Sequence, residues 1–132
     1  MKLKNFILIA FFLVELIGSV FGQTTFKNPI ITGMNPDPTI CRVGDDFYLV
    51  TSTFEYFPGL PIYHSKDLVH WKQIGHVLSR PGNCPLTGAG SSGGNYAPAL
   101  RYHKGTFYVS CTNYGGRGTQ GAFYVTATNP AG

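Results

Sequence analysis

Past residue 23, this 132-residue chain holds five carboxylates: Asp37, Asp45, Asp46, Glu55 and Asp67. What surrounds each one differs. Asp37 stands between Pro36 and Pro38, and proline fixes its own φ while restricting the residue before it. A carboxylate on so stiff a backbone points one way, which a general base needs in order to aim a water molecule. A turn or cap role uses the same residue types, and the residues alone leave both open. Asp45 and Asp46 follow Gly44 in a turn-like cluster, where Asp serves turn geometry. Glu55 follows Phe54 in an aromatic stretch and is the only glutamate besides Glu15. Any acid of glutamate type in residues 23–132 is therefore Glu55.

The elements that position these groups read as strands. Beyond residue 22 no helical period is sustained, and short runs of Tyr, Phe, Val, Ile and Thr alternate with Gly, Pro, Asn and Asp clusters. The runs repeat. Pro38-Thr39-Ile40, Gly44-Asp45-Asp46 and Phe47-Tyr48-Leu49-Val50 form strand, turn and strand. Pro98-Ala99-Leu100, His103-Lys104-Gly105 and Phe107-Tyr108-Val109-Ser110 do so again about sixty positions later. A third strand follows each hairpin, at Pro61-Ile62-Tyr63-His64-Ser65 and at Ala122-Phe123-Tyr124-Val125-Thr126. Trp71-Lys72-Gln73-Ile74-Gly75 supplies a fourth to the first unit. Four antiparallel strands per repeat are the layout of a β-propeller blade. A small sandwich of seven strands is the competing arrangement, and it leaves the repeat unexplained. In the repeat Asp37 falls opposite Ala97, at the head of the innermost strand, where a propeller lines its central channel. The chain stops at Gly132, where the second outer strand is due, so two blades of a longer propeller are expected.

Residues 1–22 read as a secretory signal: Lys2 and Lys4, an apolar run over 6–14, then small residues before a cut at Gln23. A membrane anchor is the alternative, but the run is short of the roughly 20 apolar residues a bilayer needs. Residues 23–132 are then the N-terminal part of an exported, secreted or periplasmic, propeller domain, with no stable membrane insertion. Removing the leader leaves 8 basic and 5 acidic residues, a net charge of +3 against +4 for the whole chain. The basic residues are scattered, so a nucleic-acid partner is not expected. Cys41, Cys84 and Cys111 match no metal spacing and read as buried thiols, or as one disulfide with a thiol left over. His64, His70, His76 and His103 show no ligand spacing either, so no metal is expected. Ser91-Ser92-Gly93-Gly94 precedes a strand rather than a helix, which disfavours phosphate binding and suits a cleft border.

Three blocks in order carry a resemblance. Asn28-Pro29-Ile30-Ile31 with Gly33-Met34-Asn35-Pro36-Asp37-Pro38 is the first. The second runs unbroken from Gly44-Asp45-Asp46-Phe47-Tyr48 to Thr53-Phe54-Glu55-Tyr56-Phe57-Pro58-Gly59. The third is His64-Ser65-Lys66-Asp67-Leu68-Val69-His70-Trp71. Together they resemble glycoside hydrolase family 43, nearest its β-xylosidase and α-L-arabinofuranosidase branch, from about Asn28 to the end.

The resemblance implies an all-β, five-bladed β-propeller, of which about the first two blades lie here. It also implies inverting hydrolysis of xylan- or arabinoxylan-derived oligosaccharides without a cofactor. Inversion needs one carboxylate to activate water and an acid roughly 6.5–9.5 Å away to protonate the leaving oxygen. Asp37 matches the family's base. The acid, a Glu on a later blade, and the Asp that tunes it have no position in this chain, so the 132 residues alone are expected to be inactive. Glu55 matches no proton donor and reads as a loop or pocket-wall residue. Phe54 matches a residue that packs on the non-reducing sugar. Tyr96 stands where the family usually has Trp, keeping an aromatic face while adding a hydroxyl. For Tyr56, Phe57, Phe107 and Tyr108 a place in the core or between blades is expected. From another class, a non-catalytic carbohydrate-binding propeller is the alternative, and Asp37 argues against it.

Overall fold

The computed structural model of the chain describes residues 25–80, 82–83, 86–116 and 120–131. The segment read as a signal, 1–22, and Cys84 lie outside the described residues. All seven described elements are strands: β1 (Thr39–Val43), β2 (Asp46–Val50), β3 (Gly59–Ser65), β4 (Lys72–Leu78), β5 (Gly94–His103), β6 (Thr106–Tyr114) and β7 (Gly121–Ala127). They form two antiparallel meanders, β1-β2-β3-β4 and β5-β6-β7. These are two propeller blades, the second described through its third strand. The blade pattern read from the repeat holds, and the sandwich does not.

The turns explain the hairpins. Gly44 at φ 61° opens the first, and Lys104 and Gly105 at φ 46° and 83° make the second. Left-handed residues at the centre of a two-residue turn match the twist of the strands they join. In β6 burial alternates residue by residue, with Phe107, Val109, Cys111 and Asn113 inward, as a half-buried strand requires. Asp46 is the first residue of β2 rather than part of the turn, and it accepts hydrogen bonds from Lys66 at 2.7 Å and pairs with His64 at 2.5 Å.

The blades share one core: Val50, Leu60, Ile62 and Leu78 of the first against Leu100, Phe107, Val109 and Cys111 of the second. The first strand of the second blade, β5, makes the crossing, meeting β1, β2 and β3. Tyr48 stacks edge-on against Phe107 with centroids 4.9 Å apart, and the Leu100 N–H donates to Thr39 Oγ1 at 3.1 Å. Cys111 is buried, its Sγ donating to the Tyr96 carbonyl at 3.1 Å, and Cys41 is half-buried.

Phe107 is in the core as expected, but Tyr56, Phe57 and Tyr108 are exposed (58, 53 and 39 %). Tyr56 and Phe57 belong to a loop that leaves the sheet at Phe54 and is closed on itself by the Tyr56 N–H bond to the Thr53 carbonyl. Tyr108 sits on the outward phase of β6.

Candidate active site

The site begins with a defect in strand pairing that both blades carry. In the first, the Ser52 N–H donates to the Pro36 carbonyl at 2.9 Å, while Thr39 pairs with Val50. Three steps along one chain are matched by two along the other. In the second, Tyr96 pairs with Thr112 and Ala99 with Ser110, giving the same count sixty positions on. Each extra residue is a β-bulge, which re-aims a side chain and sharpens the local twist. The residues that absorb it are Asp37 (φ 51°) and Ala97 (φ 39°), both left-handed and both followed by proline. Asp tolerates that region better than most residues, though any non-glycine there is uncommon. The stiffness expected of the flanking prolines thus takes a specific form: a left-handed bulge that turns Asp37 outward, where it is solvent-exposed.

Ser52 anchors the Asp37 carboxylate from below. Its hydroxyl is fully buried and donates to Asp37 Oδ2 at 2.7 Å. Ser52 Oγ in turn accepts the Ala97 N–H at 2.8 Å. A hydroxyl has a single proton; with the lone pair facing Ala97 committed, that proton is directed at the carboxylate. Two residues before Asp37, Asn35 is held by the Tyr63 hydroxyl, which donates to Oδ1 at 2.9 Å. Its amide donates back to the Thr32 carbonyl at 3.1 Å. Burial pushes the Tyr63 phenol above its ordinary range, keeping it a donor.

The aromatic pair lies on the same seam. Phe54 and Asn95 exchange both backbone hydrogen bonds, at 3.1 and 3.0 Å, which places the Phe54 ring 5.3 Å from that of Tyr96 in an edge-on packing. This approach requires Gly94: it has φ 101°, and a Cβ there would run into the Phe54 carbonyl. Glu55 Oε2 accepts the Ser92 N–H at 3.1 Å, so Glu55 ties the Gly-rich loop to the loop that carries Phe54. The structure therefore gathers Asp37, Phe54 and Tyr96 at the junction of two blades and gives Glu55 a loop contact.

Ser52 is the residue that sequence reasoning missed. It sits among Thr51 and Thr53 in an ordinary polar run, and the clue was its position: two residues past the partner of Thr39, opposite the bulge. A separate cavity of about 360 Å³ lies between the sheets, lined by Tyr48, Ile62, Phe107, Val109 and Val125 among others. None of Asp37, Phe54 and Tyr96 lines it, so it is a packing gap of the blade seam and not the chemical site. Among the described residues no three His, Cys, Asp or Glu side chains gather as a metal site requires.

Comparison with known proteins gives the family. The family model described as Glycosyl hydrolases family 43 matches residues 26–132. The chain belongs to that family. It is 80 % identical over 112 residues to the non-reducing end alpha-L-arabinofuranosidase BoGH43B of Bacteroides ovatus, an alignment covering 84 % of this chain and 21 % of the relative. To a xylosidase/arabinosidase of Butyrivibrio fibrisolvens it is 53 % identical over 106 residues, covering 80 % of this chain and 20 % of that one. Among solved structures, the Bacteroides ovatus xyloglucan PUL GH43B superposes with a TM-score of 0.80 at 80 % identity over 83 % of this chain and 22 % of that one. The xylan beta-1,4-xylosidase from Bacillus halodurans C-125 gives 0.75 at 46 % identity, over 82 % and 22 %. The chain thus spans about a fifth of the length of the relatives it matches.

Proposed function

We propose that the protein containing this family 43 segment is an exported glycosidase that removes terminal sugars with inversion, and that Asp37 is its general base. The observation that carries the reading is the carboxylate itself: exposed, on a left-handed bulge, and hydrogen-bonded to a fully buried hydroxyl. A base that must place one water against one anomeric carbon gains from such fixed geometry. Phe54 and Tyr96 supply flat faces on which the C–H patches of a pentose pack. The acid comes from a part of the protein beyond these two blades, at the wider carboxylate spacing that inversion requires.

Two relatives guide the substrate. The one at 80 % identity is named an α-L-arabinofuranosidase, and the one at 53 % a xylosidase/arabinosidase. We therefore place α-L-arabinofuranose first and β-xylose second as the released sugar, from side chains or ends of xylan-type oligosaccharides. Residues 1–22 as a cleaved signal fit an enzyme that meets such polymers outside the cytoplasm.

The test is turnover of aryl α-L-arabinofuranoside and aryl β-D-xyloside by the full-length protein, with the anomer of the first-formed sugar followed by NMR. Release of arabinose faster than xylose, with the configuration inverted, is expected. Retained configuration would remove Asp37 from the base role, and sugar binding without turnover of either substrate would make the protein a carbohydrate-binding propeller.

A further inference from the structure

Ser52 spans an unusual distance for one hydroxyl. It reaches Asp37 fifteen residues earlier in the chain and Ala97 forty-five residues later. The two partners are the bulged residues of the two blades, each left-handed, and Ser52 is fully buried between them. The Ala97 N–H is aimed by the second bulge, so the rotor angle of the Ser52 hydroxyl depends on how the second blade is seated. The seating is itself fixed locally by the Phe54–Asn95 backbone pair and by the Leu100–Thr39 bond. A hydroxyl free to rotate would offer Asp37 a hydrogen bond in many directions; one held by a rigid N–H offers it in one.

We propose that Ser52 is a positioning residue for hydrolysis, relaying the seating of the second blade to the Asp37 carboxylate. The second bulge, which has no carboxylate of its own, then serves the reaction through its backbone. The inference rests on the reading of Asp37 as the base. It differs from a structural account in one respect: a serine that merely satisfied the part-buried Ala97 N–H would affect folding and leave the chemical step alone.

Ser52→Ala, Ser52→Thr and Asp37→Asn are made in the full-length protein, and kcat, KM, free-sugar binding by calorimetry and the melting temperature are measured for each. Misaiming a base by a fraction of its approach distance costs on the order of 10²-fold in rate. Ser52→Ala is expected to lose kcat on that scale, with KM and sugar affinity within about threefold of the parent. Ser52→Thr keeps the hydroxyl and is expected to recover most of the loss. A Ser52→Ala protein with kcat within about threefold of the parent overturns the proposal. So does a Ser52→Ala protein that loses sugar binding together with kcat, or a well-folded Ser52→Thr protein as slow as Ser52→Ala. Asp37→Asn separates the two levels of the argument. If it stays active, the base reading fails and the relay with it; if it is inactive beside a fully active Ser52→Ala, only the relay fails.

Discussion

The segments 35–39 and 95–99 follow the same backbone path and differ in what that path carries. Each begins with Asn, each has its fourth residue as Pro, and each inserts one residue into the pairing of an inner strand. At the inserted position one has Asp37 and the other Ala97, at φ 51° and 39°. The bulge is therefore a property of the blade and the carboxylate a property of one blade only. Opposite the first bulge stands buried Ser52; the matching position opposite the second is Thr112, which is exposed. The shared bulge makes a pedestal, and on the proposed reading of Asp37 the chemistry depends on which side chain stands on it and which hydroxyl supports it.

Moving the carboxylate breaks the comparison most forcefully. Combining Asp37→Ala with Ala97→Asp in the full-length protein keeps both bulges and the total charge. Activity is expected to fall by about 10²–10⁴-fold, the usual worth of a general base, and to remain there, because exposed Thr112, not buried Ser52, stands opposite the second bulge. Recovery on transfer would mean that the bulge suffices and its supports do not matter. The glycine at the blade junction comes next. Gly94→Ala meets both a left-handed φ and the Phe54 carbonyl, and is expected to destabilise by about 3 kcal/mol or more in denaturant melts. Gly105→Ala, left-handed with open space around it, is expected to cost only about 1 kcal/mol. Equal costs would show that the close approach at Gly94 is not needed.

Truncating the aromatic pair has a smaller effect. Phe54→Ala and Tyr96→Ala each remove one ring of the edge-on contact, and each is expected to raise KM about tenfold while kcat falls less. A fall in kcat with KM unchanged would remove these rings from sugar binding.

The smallest effect concerns the turn after β3, far from the bulges in role. Asp67 accepts from the His70 ring and from the N–H groups of His70 and Val69, and these bonds hold its carboxyl far below the usual carboxylate range. A carboxyl depressed in the folded state contributes stability above its unfolded value of about 4, and that contribution is lost as pH falls toward the folded value. The melting temperature is expected to drop on going from about pH 6 to about pH 3 by more in the parent than in Asp67→Asn. Equal drops would show that the turn contributes nothing to acid sensitivity.

Much of this was legible from residue types, and the reasons differ by feature. The blades could be read because hairpin turns are local, carried by Gly44 and by Lys104-Gly105, and because the strand pattern repeats. The pairing of Asp37 with Ala97 followed from the repeat alone. The bulges were hidden because they are defects of register, visible only when one strand is laid against its partner. Ser52 was hidden for the same reason twice over, since its two bonds depend on register within the first blade and on docking between the blades. Tyr56 and Phe57 misled because hydrophobic character does not reveal where a chain leaves the sheet; the bond from Tyr56 back to Thr53 decides that.

The central claim is that the Asp37 carboxylate activates water and that Glu55, the nearest rival by residue type, holds a loop. Asp37→Asn and Glu55→Gln, assayed side by side in the full-length protein on the aryl arabinofuranoside, test it most directly. The account predicts a loss of about 10²-fold or more for Asp37→Asn and most of the activity retained for Glu55→Gln. The reverse ranking would contradict it.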